Sequence, residues 1–405
     1  MTLRRHKFQL NCKLEQLKFF KQLLVFYLVF SFNNAYAQNH IEKLPWIECS
    51  GYLKDLESFS FSDGITTSYS SNLIHNRLNF KFNFSEQLIA KLELRNRIVW
   101  GNQLKLIPDY GKYINAYDGY FNLSKLWINQ SSFVMHSVVD RLYFQFTPEH
   151  WDLRIGRQRI NWGLNTIWNP NDIFNAYNFL DFDYEERPGN DAIRIQRFLN
   201  DQSKFELAYK PGKNKNNHIV GFLYKFNKWT YDIQMLAGMY HSDLVVGGGW
   251  AGNLLNAGFK SELSYFHPKE DISNHKGVWT SSFVLDQTFK NDWYVSFSSL
   301  FNSKPSGLQS GGLGFFDSQL SAKSLFPFKF SFYSAVSKSF TPIFRSSLAL
   351  IYSPSYNTLI TVPTIGWNAL TNIDLDLTIQ AAFADTGSGY QTAGNLFVLR
   401  GKWSF

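Results

Sequence analysis

The sequence is poor in cysteine, in charged residues and in long apolar runs, and the first and third of these shortages each exclude a class of protein. Only two of the 405 residues are cysteines, which excludes a disulfide-stapled scaffold. No apolar run reaches the roughly 18 residues that a membrane-spanning helix requires, which excludes a helical membrane protein. Charged residues make up 18% of the chain, below the roughly 25% that is usual in soluble domains.

Aromatic residues are abundant instead. The chain contains 39 Phe, 21 Tyr and 12 Trp, or 18% aromatic residues, yet its mean hydropathy is slightly negative at -0.24. Disordered chains have few aromatic residues and a high net charge, so disorder is excluded. The composition therefore indicates a β-rich protein.

The N-terminus has the three-part layout of a secretory signal peptide. A basic segment, Arg4–Lys21, precedes an apolar stretch, Leu23–Phe32, and the small-x-small site Ala35–Ala37. We predict a signal peptide over 1–37, cleaved after Ala37. Because this segment holds six lysines and arginines and one acid, its removal lowers the formal net charge from +8 to +3. The basic pI is therefore no argument for nucleic-acid binding, and no nucleic-acid partner is expected.

The rest of the chain alternates apolar and polar residues in long segments, which is typical of strands with two different faces. Many segments reach ten or more residues, and a tilted strand needs about 9–11 residues to cross a bilayer. The predicted strands are 46–57, 73–84, 87–100, 139–147, 151–162, 191–199, 203–210, 218–226, 229–240, 243–250, 254–266, 277–289, 292–301, 327–338, 342–352, 357–367, 371–384 and 394–405.

These 18 segments predict an all-β fold, an antiparallel transmembrane β-barrel of about 16–18 strands that occupies 46–405. Bacterial outer-membrane barrels have an even number of strands, short periplasmic turns and long external loops, and the connections here alternate in the same way. A closed barrel also pairs every backbone polar group within lipid. Residues 38–45 are then a short periplasmic lead-in.

The last strand carries a regular aromatic and aliphatic face. It resembles the C-terminal strand of Gram-negative outer-membrane barrels, whose final aromatic residue is recognised by the barrel-insertion machinery. The resemblance implies a location in the outer membrane, with its lipid and lipopolysaccharide and that machinery as partners. The predicted insertion signal comprises Phe397, Leu399, Trp403 and Phe405.

Arginine is concentrated on one side of the predicted barrel. Ten of the 12 arginines beyond the signal peptide lie between Arg77 and Arg197. A β-bulge at Gly156 is expected to place Arg154, Arg157 and Arg159 on the lumen face and to turn Ile160 and Trp162 toward lipid. The predicted pore-lining basic wall comprises Arg77, Arg95, Arg97, Arg141, Arg154, Arg157, Arg159 and Arg194.

The connection after the fifth strand, 163–190, is long and acidic. Its position resembles that of the third external loop of general porins, which folds into the lumen and narrows it. Folded inward, its carboxylates would create a transverse field opposite the arginine wall. Two alternatives remain open, a loop whose acids only hold it in place as a plug, and a loop that projects into solvent. The acidic residues are Asp172, Asp181, Asp183, Glu185 and Glu186.

The stretches GRQRINWG, NPNDIFN and DYEERPGNDAIR, within 154–197, resemble poorly characterised Gram-negative outer-membrane barrels related to porins and alginate-export channels. The resemblance implies a channel role. We therefore predict a porin-like channel for small, hydrophilic and anionic solutes. The alternative is a receptor or assembly barrel whose lumen is plugged by the 163–190 loop.

Sequence signals for an enzyme are missing. The nine histidines are scattered, and neither HExxH nor GxSxG occurs. We expect no enzymatic activity, no cofactor and no metal. A homo-oligomer is compatible with the sequence.

Overall fold

The computed structural model describes residues 45–62, 67–115, 119–176, 180, 187–214, 216–269, 276–307, 320–385 and 389–405. Trp46–Phe405 forms one unit. Its strands are β1 (Ile47–Ser62), β2 (Thr67–Asn83), β3 (Leu88–Gly101), β4 (Ser124–Gln130), β5 (Phe133–Phe146), β6 (Trp151–Gln158), β7 (Asn190–Asn200), β8 (Ser203–Lys210), β9 (Ile219–Lys228), β10 (Tyr231–Tyr240), β11 (Asp243–Leu254), β12 (Ala257–Pro268), β13 (Val278–Thr288), β14 (Trp293–Asn302), β15 (Phe330–Thr341), β16 (Phe344–Ser353), β17 (Thr358–Leu370), β18 (Ile373–Asp385) and β19 (Tyr390–Ser404).

Helical structure in the described ranges is confined to short pieces. One α-helix, α1 (Tyr110–Asn115), and three 3-10 turns, Gln103–Leu106, Lys290–Asp292 and Ser355–Asn357, lie between strands. None of these described helices is long and apolar enough to cross a membrane.

The strands close into an antiparallel barrel. Each barrel strand pairs with its neighbour along the chain, and β19 closes on β1 from Tyr52 opposite Ser404 to Phe61 opposite Asn395. Because β3 pairs directly with β5, the ring has 18 members and β4 lies beside it. Each predicted strand corresponds to one strand of this ring, so the predicted fold class is confirmed.

The two faces of the wall differ as alternation predicts. In β19, Leu399 points outward and is 54% exposed, whereas Val398 points inward and is 4% exposed. Inward-facing residues are buried because chain segments fill part of the interior. The short turns, such as 84–87 and 147–150, lie at one end, here named the turn end, and the long connections lie at the opposite loop end.

The largest departure from the predicted strands lies between residues 101 and 162. The fifth strand was predicted over 151–162, but β6 ends at Gln158, and its pairing with β5 reaches no further than Leu142 opposite Arg157. The remaining edge of β5 pairs with β4, which lies within the segment 101–138 that was predicted to be a loop. β4 therefore covers the edge that β6 leaves unpaired, which satisfies its backbone groups.

Candidate functional site

The chain leaves the wall after Gln158 and enters the barrel interior as residues 159–176, here named the inward segment. Ile160 and Trp162 are both fully buried there. The Trp162 indole Nε1 donates a hydrogen bond of 2.7 Å to Glu206 Oε1 on β8. The prediction that Ile160 and Trp162 face lipid is therefore wrong, because strand alternation does not apply once the chain has left the sheet.

Glu262 on β12 is the principal anchor of the inward segment. Its carboxylate is fully buried. Oε1 accepts hydrogen bonds from the backbone N–H groups of Leu164 (2.5 Å) and Asn165 (2.8 Å), and Oε2 accepts one from Asn171 (2.8 Å). One side chain thus satisfies three backbone donors that the interior would otherwise leave unpaired.

Three neutral side chains extend this anchoring along the wall, and each donates to a carbonyl oxygen of the inward segment. Gln234 on β10 donates to the Trp162 carbonyl at 2.8 Å. Ser264 on β12 and Ser282 on β13 donate to the carbonyls of Pro170 (2.9 Å) and Trp168 (2.8 Å). The inward segment therefore follows the inner surface of β8 to β13, which excludes outward projection for residues 159–176.

Leu180 of the same connection also lies in the interior, against the opposite part of the wall. Gln380 on β18 donates a hydrogen bond of 3.2 Å to the carbonyl of Leu180. Trp168 packs edge-to-face against Phe326, with ring centroids 5.9 Å apart. Phe326 belongs to a second connection, described over 320–328, in which Leu325, Phe326 and Phe328 are buried against β14 to β18. Two loop-end connections thus narrow the lumen together.

Gly221 on β9 makes room for the Trp162 ring. A Cβ atom at this position would lie 2.4 Å from two ring carbons of Trp162. We expect Gly221→Ala to displace the ring and to destabilise the folded barrel by about 1–3 kcal/mol, the usual cost of overpacking. Gly401→Ala is the control, because its Cβ would meet its nearest neighbour at an ordinary 3.5 Å. Urea unfolding of both variants measures the difference, and equal midpoints would contradict this account.

Two of the predicted wall arginines share carboxylates on the inner surface. Arg77 donates to Asp140 at 2.7 Å and to Glu93 at 2.5 Å, and Arg95 lies 3.2 Å from Asp140. Asp140 is the extra residue in a register shift between β3 and β5, which turns its carboxylate inward. The charges of this part of the wall are therefore largely offset.

Two further wall arginines bind carbonyl oxygens of the connections. Arg141 Nη2 donates to the Arg187 carbonyl at 2.6 Å. Arg97 Nη2 donates to the Ile114 carbonyl at 3.3 Å, at the end of α1. Both side chains hold loop-end segments against the inner surface of the wall.

Arg154 and Arg194 of the predicted wall form ion pairs with carboxylates. Arg159, by contrast, does not lie on a strand. Arg154 pairs with Asp152 at 2.7 Å, and Arg194 pairs with Glu206 at 2.7 Å. Arg159 lies beyond the end of β6 and is exposed. Glu206 therefore binds both a wall arginine and the Trp162 indole of the inward segment.

Arg157 lies within the wall itself. Its guanidinium binds both oxygens of Asp191, at 2.8 and 3.0 Å, and donates to the carbonyls of Val139 (3.0 Å) and Phe121 (2.5 Å). Asp191 in turn accepts the Phe121 N–H at 2.8 Å. Between Val138 and Leu142, the edge of β5 pairs with neither β4 nor β6, and this stretch is here named the gap between β4 and β6. The Arg157–Asp191 ion pair supplies hydrogen bonds there in place of strand pairing.

The irregularity predicted before Arg157 takes a different form from the one expected. The register of β6 with β5 and β7 shows no bulge at Gly156. Instead Gly156 has a φ of 118°, a conformation that residues with a side chain rarely adopt.

Of the predicted acidic residues, Asp172 lies within the described chain. It is buried and pairs with Arg187 of the same connection. Burial raises the pKa of Asp172 to about 6, because desolvation outweighs the attraction of Arg187. Asp181, Asp183, Glu185 and Glu186 lie outside the described residues, so the predicted transverse field stays a prediction.

The predicted insertion signal lies on the outer surface. Phe397, Leu399 and Phe405 are exposed there. The Trp403 ring packs against the Phe405 ring, with their centroids 4.9 Å apart. The backbone of Phe405 exchanges two hydrogen bonds with Gly51, of 2.8 and 2.9 Å. The terminal aromatic residue thus takes part in barrel closure.

The sequence prediction of a basic wall did not include three inward-facing lysines. Lys91, Lys225 and Lys260 share strand faces with the buried residues Arg95, Leu223 and Glu262, respectively. Within the part of the chain that is described, no carboxylate lies within ion-pairing distance of these three lysines. No group of three or more His, Cys, Asp or Glu side chains in the described ranges is arranged to hold a metal ion.

Solved structures of similar fold include an outer membrane protein and a porin, whereas no protein-family model and no curated protein matches the sequence. Acinetobacter baumannii OccAB4 superposes with a TM-score of 0.57 at 9% identity, over 90% of this chain and 100% of that chain. The Pseudomonas aeruginosa outer membrane protein OpdK gives 0.56 at 7% identity, over 89% and 98%. A BenF-like porin from Pseudomonas fluorescens Pf-5 gives 0.54 at 9% identity, over 89% and 99%.

These similarities define the class of the fold. The chain is an 18-stranded antiparallel barrel with the fold of the porin-like outer-membrane proteins. The resemblance to porin-like barrels that the sequence predicts is thereby confirmed.

Proposed function

We propose that this chain is an outer-membrane channel through which small hydrophilic solutes diffuse, with the inward segment as its constriction. The observation that carries the proposal is the anchored course of residues 159–176 along the inside of a porin-like barrel. The loop end then faces the outside of the cell and the turn end the periplasm. Export by the signal peptide 1–37 belongs to the same proposal, which includes no enzymatic step.

We also propose a preference for anions, and its main source is lysine. Most of the wall arginines are offset by a neighbouring carboxylate, so they add little net charge to the lumen. Lys91, Lys225 and Lys260 form no ion pair with a described carboxylate, and the nearest acids to Lys225, Glu206 and Glu262, act on it only at longer range. Low-dielectric walls focus such a field along a narrow pore.

Planar-bilayer recordings test both parts of this proposal. The unchanged protein is expected to show ion-sized conductance and an anion-biased reversal potential in a salt gradient. The triple variant Lys91→Gln, Lys225→Gln and Lys260→Gln is expected to shift that potential toward cations, because three positive charges that form no ion pair with a described carboxylate leave the lumen.

Lys338→Gln is the matched control for the recordings, since this lysine lies on the outer surface over the Trp293 ring, 4.9 Å from its centroid. It is expected to leave the reversal potential unchanged. An unaltered potential in the triple variant would refute the role of the three lysines.

A second function, a receptor or assembly barrel with a closed lumen, is favoured by the packing of Trp168 against Phe326. That contact joins the inward segment to residues 320–328 and fills the side of the lumen next to β14 to β18. Absence of conductance in the unchanged protein and in Phe326→Ala alike would support the closed barrel and reject the channel.

A further inference from the structure

A cavity of about 500 Å³ opens at the loop end, away from the anchors of the inward segment. Its lining combines apolar residues, among them Val278 and Pro305, with serine hydroxyls and three lysines. The lysines are Lys276, Lys304 and Lys323. Its volume falls within the range of about 300–1,000 Å³ that is usual for small-molecule sites.

The described lining of this cavity carries three lysines and one carboxylate, that of Asp243. Lys323 forms an ion pair with Asp243, and its ammonium group lies 5.9 Å from the centroids of the Tyr240 and Phe266 rings. Lys276 and Lys304 have no carboxylate within ion-pairing distance among the residues that the structure describes. Among the described residues, no carboxylate therefore pairs with two of the three lysines.

The polar part of the lining is held in place by backbone bonds. Ser321 and Ser324 exchange two backbone hydrogen bonds, of 3.1 and 2.9 Å. Ser324 Oγ accepts the N–H of Ser306 at 3.0 Å, which ties the two sides of the cavity together. The site is thus largely preformed, which reduces the entropic cost of binding.

We propose that this cavity binds the dianionic phosphate group of a small solute, either inorganic phosphate or a phosphate monoester. A phosphate group carries about −1.5 to −2 charges at neutral pH, which matches the two lysines, Lys276 and Lys304, that pair with no described carboxylate. A monocarboxylate would offset only one of them. Lysine is an established point-charge partner of phosphate, and the hydroxyls of Ser306 and Ser321 supply further donors.

The position of the cavity adds a role to the binding. Val278 lies in the same buried apolar cluster as Trp162 and Ile173 of the inward segment. A phosphate held here would therefore be concentrated directly at the entrance to the constriction. This role rests on the proposed channel function, whereas the binding itself does not.

Titration of the purified protein in detergent tests the site, with inorganic phosphate and methyl phosphate as probes and acetate as the monoanion. Both phosphates are expected to bind more tightly than acetate and to bind more weakly as salt is added. The double variant Lys276→Gln and Lys304→Gln is expected to weaken phosphate binding by about tenfold or more, since each loses a charged hydrogen bond. Asp243→Asn is expected to strengthen it, because Lys323 is released.

The control removes two other lysines from loop-end connections, Lys105→Gln with Lys112→Gln, both of them exposed. It is expected to leave phosphate binding unchanged. Equal weakening by the control, or unchanged binding in Lys276→Gln with Lys304→Gln, would overturn the site. Failure of the channel proposal would appear separately, as absence of conductance in a bilayer.

Discussion

Replacement of Glu262 by alanine is expected to raise the single-channel conductance several-fold. The Glu262 carboxylate accepts three backbone N–H groups of the inward segment, from Leu164, Asn165 and Asn171. Each buried donor that loses its acceptor costs about 1–3 kcal/mol. The inward segment should then leave its position along β8 to β13, which widens the constriction.

Two comparison variants separate this effect from the loss of an interior negative charge. Glu262→Gln keeps one acceptor oxygen but presents an amide donor to the Asn171 N–H, so an intermediate conductance is expected. Asp286→Ala removes an inward-facing acid that binds Tyr294 and no part of the inward segment. It is expected to leave the conductance near that of the unchanged protein.

Planar-bilayer recording measures all three variants, and the shift in electrophoretic mobility on heating shows that each barrel has folded. A folded Glu262→Ala barrel with unchanged conductance would show that the inward segment does not set the width of the pore.

The strands of the barrel wall could be predicted from the sequence, because the face that each residue takes depends only on its position along its own strand. Leu399 and Arg400 on β19 take opposite faces for the same reason that any neighbouring strand residues do. Lipid selects apolar residues on one face and the interior selects polar residues on the other. The pattern therefore repeats in every strand.

The contents of the barrel could not be predicted in this way. Trp162 is part of an apparent strand in the sequence, yet the space for its ring is created by Gly221, on another strand. Asn165 and its acceptor Glu262 are 97 residues apart. Such pairs depend on where the chain leaves the sheet, and alternation carries no information about that point.

The contacts of Arg157 could not be predicted from alternation either. Its replacement is expected to have the second large effect, a loss of stability. Arg157→Ala should destabilise the barrel by about 3–5 kcal/mol, because Asp191 is left as an unpaired buried charge. The carbonyls of Val139 and Phe121 lose their donors at the same time. These two carbonyl groups, in the gap between β4 and β6, would then bind water or stay without a hydrogen bond.

A double-mutant cycle measures this pair by urea unfolding. The double variant Arg157→Ala with Asp191→Ala is expected to be destabilised by less than the sum of the single variants, since no unpaired charge remains. Arg197→Ala is the control, because this arginine lies over the Trp151 ring at 4.8 Å and makes no contact with the gap; its expected cost is about 0.5–1 kcal/mol. A small effect of Arg157→Ala, or strict additivity in the cycle, would mean that the wall closes at this point without the ion pair.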